Sequence, residues 1–290
     1  MDKVIQEVSN PKCDIISVSD ILNSQDFKDS TMELPCAFGV TFDGNIFIRD
    51  LTKMGHLLVG GETGQGKSIC LQAMLLSLIC KRTPDELRLI LIDPRHVELS
   101  DLSGLEGSYL ETPVIIDTDT ARKSLSSLCQ LMDERYAKFK ISNVCNIIEY
   151  NALTDEKMPY IVVVIDEYGD LFIESKKIKK SIEYLAERAS TVGIHLVLST
   201  FHMSYQFVTG FIRANFPARI MFKTLFRRES RVILDKPDAE NLPDCGVMIY
   251  YCGNVPIRVR GAFVTKNDIN NIVKEMTNRY QPLQHSGENK

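Results

Sequence analysis

The sequence of 290 residues contains no tryptophan, no long apolar run and no excess of positive charge. Because no apolar stretch approaches the roughly 18 residues that cross a bilayer, no segment is predicted to span a membrane. The opening residues MDKVIQEVSN do not have the apolar core of a signal peptide, so we expect a cytoplasmic protein. The net charge of −4 gives no overall basic field, and any surface that binds nucleic acid would have to be local.

The eight cysteines include no C-x-x-C pair, the spacing typical of zinc sites and redox centres. Cys70, Cys80 and Cys129 lie within helix-like apolar patterns, where cysteine packs as a small hydrophobic residue. We therefore expect reduced thiols in a cytosolic protein, rather than disulfides or a zinc centre.

A glycine-rich stretch at residues 56–68 has the features of a phosphate-binding loop. Apolar residues predict a buried strand, and the turn after it matches G-x-x-x-x-G-K-[ST] at Gly61, Gly66, Lys67 and Ser68. In this motif backbone N–H groups surround a phosphate, the lysine reaches the β- and γ-phosphates, and the hydroxyl ligates Mg²⁺. We therefore predict that the chain binds ATP with Mg²⁺. The predicted nucleotide-binding residues are Gly61, Glu62, Thr63, Gly64, Gln65, Gly66, Lys67, Ser68 and Ile69.

Apolar runs alternate with helix-like patterns through the rest of the chain. Continuous apolar runs predict strands that are buried on both faces, and apolar positions at helical spacing predict the helices between them. This alternation predicts an α/β fold with a mostly parallel sheet flanked by helices. The predicted strands are 36–40, 45–48, 57–59, 87–92, 114–116, 160–165, 194–198, 219–222, 247–251 and 257–259, and the main helices are 68–81, 119–140, 178–189 and 268–279.

A phosphate loop also needs a carboxylate at the end of a neighbouring strand to hold Mg²⁺ through water. Two strands end in one, at Asp93 and at Asp166. Asp166 is followed by Glu167, a second carboxylate that can polarise the attacking water. We therefore predict Asp166 as the metal carboxylate and Glu167 as the catalytic base, with Asp93 as the alternative. This choice predicts that the intervening strands separate the phosphate loop from the metal strand, the additional-strand arrangement of RecA-like motors.

Further segments are distinctive for their length and order. They are Phe27-Lys28-Asp29-Ser30, DLTKMGHLLVGGETGQGKS, IDPRHVELS, PYIVVVIDEYGDL, GIHLVLST, VTGFIRANFPARIMF, ESRVILD and IRVRGAFVT. Over about residues 16–275 they resemble the motor domain of the FtsK/SpoIIIE family of DNA translocases. The resemblance implies a RecA-like P-loop NTPase with an additional central strand, which assembles as a hexameric ring and threads double-stranded DNA through its pore.

The same resemblance divides the chain into three parts. Residues 1–50 are expected to be a polar N-terminal arm and a small β-rich lead-in, and residues 51–280 the motor domain. Residues 281–290 are expected to be a flexible tail. The family's membrane helices and its C-terminal DNA-reading module have no counterpart in this sequence, so sequence-directed movement is not expected of it.

Two departures from the family concern hydrolysis. The family usually has Gln-Arg-Pro where this chain has Phe201, His202 and Met203. That glutamine resembles a γ-phosphate sensor, and phenylalanine has no polar group to replace it. Ser190 stands where the family has an arginine that resembles a finger reaching the neighbouring subunit's nucleotide. Arg188 is roughly 200° around the helix from that position, so it is no automatic substitute.

Other basic residues have more than one possible role. Arg213, Arg219 and Arg231 match basic positions of the family, either as contacts across subunits or as surface salt bridges. Two clusters are candidates for DNA contact or for a solvated face. They are Lys176, Lys177, Lys179 and Lys180, and Arg227, Arg228 and Arg231.

Three functions remain open from the sequence. The first is an ATP-driven motor on double-stranded DNA. The second is an ATPase of secretion or conjugation that moves protein or single strands. The third is an ATP-binding assembly subunit that hydrolyses ATP only weakly, because Ser190 and Phe201 replace the residues that resemble a finger and a sensor in the family.

Overall fold

The computed structural model describes residues 16–244, 246–253 and 255–280. The first part of the predicted arm and the predicted tail lie outside these residues. Within them, nine strands form one sheet in the order β2-β1-β9-β8-β7-β3-β6-β5-β4. The strands are β1 Pro35–Thr41, β2 Ile46–Asp50, β3 Leu57–Gly60, β4 Leu87–Ile92, β5 Tyr160–Ile165, β6 Ile194–Thr200, β7 Ala218–Phe222, β8 Val247–Cys252 and β9 Ile257–Gly261.

The five strands β7, β3, β6, β5 and β4 are parallel neighbours. Every residue of β3, β5, β6 and β7 is buried, as expected for strands that are covered on both faces. β4 lies at the edge of the sheet, and two of its residues are only partly buried. The predicted α/β fold is confirmed, and the continuous apolar runs of the sequence correspond to its central strands.

One strand separates the phosphate-loop strand β3 from β5, which ends just before Asp166. This strand is β6, which follows β5 in the chain. The additional central strand is therefore present. The strand that lies between them in the sequence, β4, is instead at the far edge, contrary to the prediction that the intervening strands fill the gap.

Eleven α-helices lie within the described residues. They are α1 Val18–Asn23, α2 Gln25–Lys28, α3 Leu51–Met54, α4 Lys67–Lys81, α5 Thr118–Ser142, α6 Ile147–Leu153, α7 Tyr168–Glu174, α8 Lys176–Arg188, α9 Gly210–Asn215, α10 Arg227–Leu234 and α11 Lys266–Tyr280. α4 contacts β1, α1 and α11, while α5, α7 and α9 each contact α8. The phosphate-loop helix α4 is therefore buried along most of its length, which fixes its N-terminus against the sheet.

The β-rich lead-in is continuous with the sheet. β1 and β2 form an antiparallel hairpin, and β1 also pairs with β9, near the other end of the chain. The described part of the arm contains two short helices. α1 begins at a Ser17 capping box, and α1 and α2 bury Val18, Ile21 and Phe27.

The prediction of a strand at residues 114–116 is wrong. Ile115 forms only an isolated bridge with Ile92, exchanging backbone bonds with Leu91 and Asp93. Pro113 has no N–H to donate to a ladder, and Asp117 already caps helix α5. The segment is therefore too short to extend the sheet beyond β4.

Two histidines are buried at the start of β3 and β6. Leu196 N–H donates to His56 Nδ1 at 2.9 Å, and His195 Nδ1 donates to the Gly55 carbonyl at 2.6 Å. Burial lowers the pKa of His56 from 6.5 to about 3 and that of His195 from 6.5 to about 4. Both histidines therefore have a lower pKa in the folded state than in the unfolded state. Their contribution to folding stability is complete above pH 6.5 and is lost as the pH falls toward the folded-state pKa values.

We expect His195→Asn, which can keep a donor near Nδ1, to reduce this acid sensitivity. Between pH 7 and 5 the parent should lose about 2 kcal/mol more folding stability than the variant, since only the parent's unfolded state gains a proton at residue 195. Urea unfolding at the two pH values measures this difference. The comparison cancels the contribution of buried carboxylates, whose raised pKa values act in the opposite direction. Equal losses in the two proteins would contradict the prediction.

Candidate functional site

The phosphate loop lies between β3 and α4, at the carboxyl ends of the parallel strands. Gly61, Gly64 and Gly66 all have positive φ angles, at 150°, 80° and 115°. A side chain at Gly61 would also meet Phe222 Cβ at 2.6 Å. Helix α4 has no side chain that caps its N-terminus, so the first-turn N–H groups are left for an anionic ligand.

Lys67 is held inside this loop. Its Nζ donates to the carbonyl of Gly61 at 2.9 Å and to that of Glu62 at 3.2 Å, and it lies 3.7 Å from Glu167 Oε1. Burial lowers the pKa of Lys67, although the nearby carboxylates of Glu167 and Asp166 oppose the shift. The lysine and the two predicted carboxylates are therefore neighbours in a buried cluster.

Glu167 begins helix α7 with a left-handed backbone, at φ 48°. Such a conformation costs a non-glycine residue on the order of 1–3 kcal/mol, and here it directs the side chain across the sheet edge. Glu167 Oε2 accepts a hydrogen bond from Phe201 N–H at 2.9 Å. Burial raises the pKa of Glu167, while this hydrogen bond, Lys67 and Arg95 oppose the rise.

Asp166 is 3% exposed, and its carboxylate lies beside the side chain of Ser199, near the end of β6. Burial, and next the charge of Glu167, raise the pKa of Asp166 to about 6. A divalent cation at this place would favour the ionised carboxylate. Carboxylate and hydroxyl oxygens are also the ligands that Mg²⁺ takes beside nucleotide phosphates, so the donor set fits the ion.

Asp93, the alternative metal carboxylate, has a different set of contacts. Its Oδ1 accepts from Arg95 N–H, and its Oδ2 accepts from the N–H groups of Val97, Glu98 and Leu99, at 2.9 to 3.2 Å. The side chain is fully buried. Asp93 therefore holds the loop after β4 in shape.

A second polar cluster at the same sheet edge was missed in the sequence. Arg95 donates to Asp170 Oδ2 from Nε at 3.2 Å and from Nη2 at 3.1 Å. His202 Nε2 lies 3.1 Å from the other oxygen, Asp170 Oδ1. The only available signal was that Arg95 follows a predicted parallel strand, whose carboxyl end opens onto the nucleotide edge.

The two departures from the family lie at opposite ends of β6. Phe201 follows this strand and contacts Glu167 through its backbone. Ser190 precedes it, in a short 3-10 turn, and lines a cleft with Tyr160 and His195. A residue at position 190 is therefore at the sheet edge remote from the nucleotide loop of its own chain.

The other candidate arginines differ in how far their side chains are engaged within their own chain. Arg219 is buried and donates to Phe216 O, Ile233 O, Arg213 O and Asp235, so it is committed to the fold. Arg213 pairs with Asp235 at 3.1 Å. Arg188 lies over the rings of Tyr136 and Tyr184. Arg188 and Arg231 are both exposed, whereas Arg213 is partly buried.

The sheet, the glycine loop and the strand-end carboxylates together define a P-loop ATPase. The FtsK/SpoIIIE family matches residues 17–205, which is more than half of the sequence. The chain therefore belongs to the FtsK/SpoIIIE family.

Two relatives show how much of the family's proteins this chain covers. It is 36% identical to the DNA translocase FtsK of Chlamydia trachomatis over 290 residues, covering 94% of this chain and 36% of that protein. It is also 36% identical to the DNA translocase SftA of Bacillus subtilis, covering 95% of this chain and 30% of that protein. The chain thus spans only about a third of the length of these relatives.

Two solved structures share the fold. The pCW3 conjugation coupling protein TcpA, solved with ATPγS, matches with a TM-score of 0.75 and 26% identity, over 85% of this chain and 71% of that one. The type VII secretion ATPase EccC of Thermomonospora curvata matches with a TM-score of 0.80 and 19% identity, over 90% of this chain and 34% of that one. Across residues 16–280, apart from the two gaps, no helix has the length and apolarity to cross a bilayer.

Proposed function

We propose that the chain is the ATP-hydrolysing part of a ring-shaped motor that moves double-stranded DNA. The observation that carries the proposal is the buried cluster of Lys67 and Glu167, 3.7 Å apart, with Asp166 beside them. Membership of the FtsK/SpoIIIE family supports a motor, and the names of the two relatives support DNA as its cargo.

Each group at the site has a role in this proposal. The phosphate loop, residues 61–69, binds ATP, and Lys67 balances the charge of the β- and γ-phosphates. Ser68 and Asp166 would hold Mg²⁺, which neutralises charge on the phosphates when it is bound. Glu167 accepts the proton of the attacking water, and its bond from Phe201 N–H fixes the carboxylate in place.

Oligomerisation would complete the site. In a hexameric ring the nucleotide lies near the neighbouring subunit, and an exposed arginine of that subunit would contribute positive charge. Arg231 suits this role better than Arg219, because Arg219 is buried and bonded within its own chain. Measuring the molecular mass of the protein in solution, with ATPγS and Mg²⁺ present, would show whether a ring forms.

The decisive experiment measures ATP turnover of the full chain with and without linear duplex DNA. The proposal expects turnover that rises when duplex DNA is added. Lys67→Ala serves as the inactive reference. Turnover that is the same with and without DNA would contradict a DNA motor, and no turnover despite ATP binding would favour the assembly-subunit function.

Arg227 and Arg228 are exposed at the start of α10, which follows β7 at the nucleotide edge of the sheet. We expect Arg227→Glu with Arg228→Glu to weaken duplex binding at least about tenfold at low salt. The slope of log affinity against log salt should fall by about one to two, because each phosphate contact releases counterions.

The matched control is Lys138→Glu with Lys140→Glu, which makes the same charge change near the remote end of α5. It should leave duplex binding near that of the parent, as measured by fluorescence anisotropy over a salt series. If both pairs of substitutions weaken binding equally, only the net charge matters and no specific surface is involved.

A second cargo, single-stranded DNA, is favoured by one observation. Leu225 and Phe226, which come just before the two arginines, are 69% and 59% exposed. Exposed aromatic rings beside arginines are typical of surfaces on which unpaired bases stack. The 26% identity to a conjugation coupling protein agrees with this alternative. Tighter binding to a single-stranded oligonucleotide than to its duplex would select it.

A further inference from the structure

Arg95 carries its charge far from the strand that precedes it. The residue follows β4, at the edge of the sheet, and β5 separates β4 from β6. Its guanidinium carbon nevertheless lies 4.6 Å from the centroid of the Phe201 ring, and Phe201 directly follows β6. Since adjacent strands are about 4.8 Å apart, the side chain reaches across two strand spacings. The positive charge therefore lies beside the strand that neighbours the phosphate-loop strand β3.

The surroundings hold the guanidinium in this place. The Phe201 ring supports one face of it, an arrangement that attracts a cation to an aromatic ring. Asp170 accepts two of its N–H groups, and the Arg95 side chain remains 42% exposed. Within the described part of the chain its remaining guanidinium N–H groups have no acceptor. Phe201 also donates its backbone N–H to Glu167, so the ring and the predicted catalytic base are positioned by one residue.

We propose that Arg95 senses the γ-phosphate of ATP within its own subunit, with Phe201 as its support. The inference rests on the proposed function, because it requires ATP to bind at the Lys67 loop. In the family resemblance, a polar side chain at the position of Phe201 has the sensing role. Here the apolar ring carries a guanidinium instead, and planar guanidinium groups bind phosphate oxygens in bidentate fashion.

Asp170 would compete with the γ-phosphate for the guanidinium of Arg95. Its Oδ2 binds Arg95, while its Oδ1 lies 3.1 Å from His202 Nε2. A γ-phosphate and Asp170 would compete for the same guanidinium, and His202 would remain as the partner of Asp170. ADP has no γ-phosphate and offers no such competition. Arg95 should therefore discriminate between ATP and ADP.

The experiment compares Mg²⁺-dependent affinities for ATPγS and ADP by titration calorimetry on the full chain. In Arg95→Gln, ATPγS binding should weaken roughly 10- to 100-fold, the range for a hydrogen bond to a charged group. ADP binding should stay within about twofold of the parent's. Arg95→Lys should recover part of the preference, because it retains the charge. The control is Arg88→Gln, at the other end of β4. The Arg88 side chain pairs with Glu111 and donates to the carbonyl of Ser108.

Asp170→Asn separates sensing from a structural ion pair. If Arg95 only stabilises the loop through Asp170, both substitutions should weaken nucleotide binding in the same direction. If Arg95 senses the γ-phosphate, Asp170→Asn should strengthen ATPγS binding relative to ADP. This gain should disappear in the double variant with Arg95→Gln, which excludes a general effect of removing negative charge.

The outcomes also separate this inference from the proposed function. A parent that binds neither nucleotide overturns both. A parent that binds ATPγS and ADP through Lys67, with an unchanged preference in Arg95→Gln, overturns only the role of Arg95. Thermal unfolding of each variant confirms that the comparison is made on folded protein, and a changed ADP affinity equal to the ATPγS change also counts against sensing.

Discussion

Replacing Lys67 with alanine should reduce ATP affinity at least about 100-fold. The ammonium group is buried and carries hydrogen bonds to two loop carbonyls, and it is the positive charge next to Glu167. Removing it leaves the β- and γ-phosphates facing the carboxylates of Asp166 and Glu167 without that compensating charge. A hydrogen bond to a charged group contributes about 1.5–3 kcal/mol, and the lost charge balance adds to it.

Helix α4 offers a matched control for this substitution. Lys81, at its other end, also donates to two backbone carbonyls, those of Phe27 and Lys28. Lys81→Ala removes the same side chain and the same kind of contact, but far from the loop, so its nucleotide affinity should be that of the parent. Titration with a fluorescent ATP analogue measures both. Parental affinity in Lys67→Ala would remove the nucleotide site from this loop.

Replacing Glu167 with glutamine should keep ATP bound and slow hydrolysis by about two orders of magnitude or more. The amide has the same shape as the carboxylate, and its oxygen can still accept the bond from Phe201 N–H. It cannot accept the proton of the attacking water. The loss should therefore appear in kcat, while the affinity for ATPγS changes little.

Glu174→Gln, in the same helix α7, is the control for this second prediction. Its carboxylate is exposed and accepts from the Thr118 hydroxyl, so its loss should leave turnover unchanged. Steady-state turnover and single-turnover hydrolysis of both variants make the comparison. If Glu167→Gln turned over ATP like the parent, the catalytic base would have to be another carboxylate.

Local patterns made much of the fold predictable. The runs at Leu87–Ile92 and Tyr160–Ile165 match β4 and β5. The run at β5 is apolar throughout because that strand is buried on both faces. The order of the strands was not predictable in the same way. Nothing local in the sequence indicates that β6 lies between β3 and β5, since that depends on pairing between distant residues.

The candidate site shows the same division. Lys67 lies within a fixed motif, and its approach to Glu167 follows from parallel strands that end at one edge. Arg95 lies in an irregular loop, where no periodicity marks a functional side chain. Its contact with Phe201 depends on a long side chain that crosses β5, and only the three-dimensional arrangement shows it.

The pairing of β1 with β9 has a consequence for how the chain folds during synthesis. Gly39 is opposite Gly261, so the hairpin emerges from the ribosome long before its partner strand is made. Until then the exposed edge of β1 has unpaired backbone groups, which can pair with other chains. Long-range pairing of this kind is also slow, because a large loop must close first. The growing chain is therefore open to aggregation, or to binding by a chaperone, until β9 is complete.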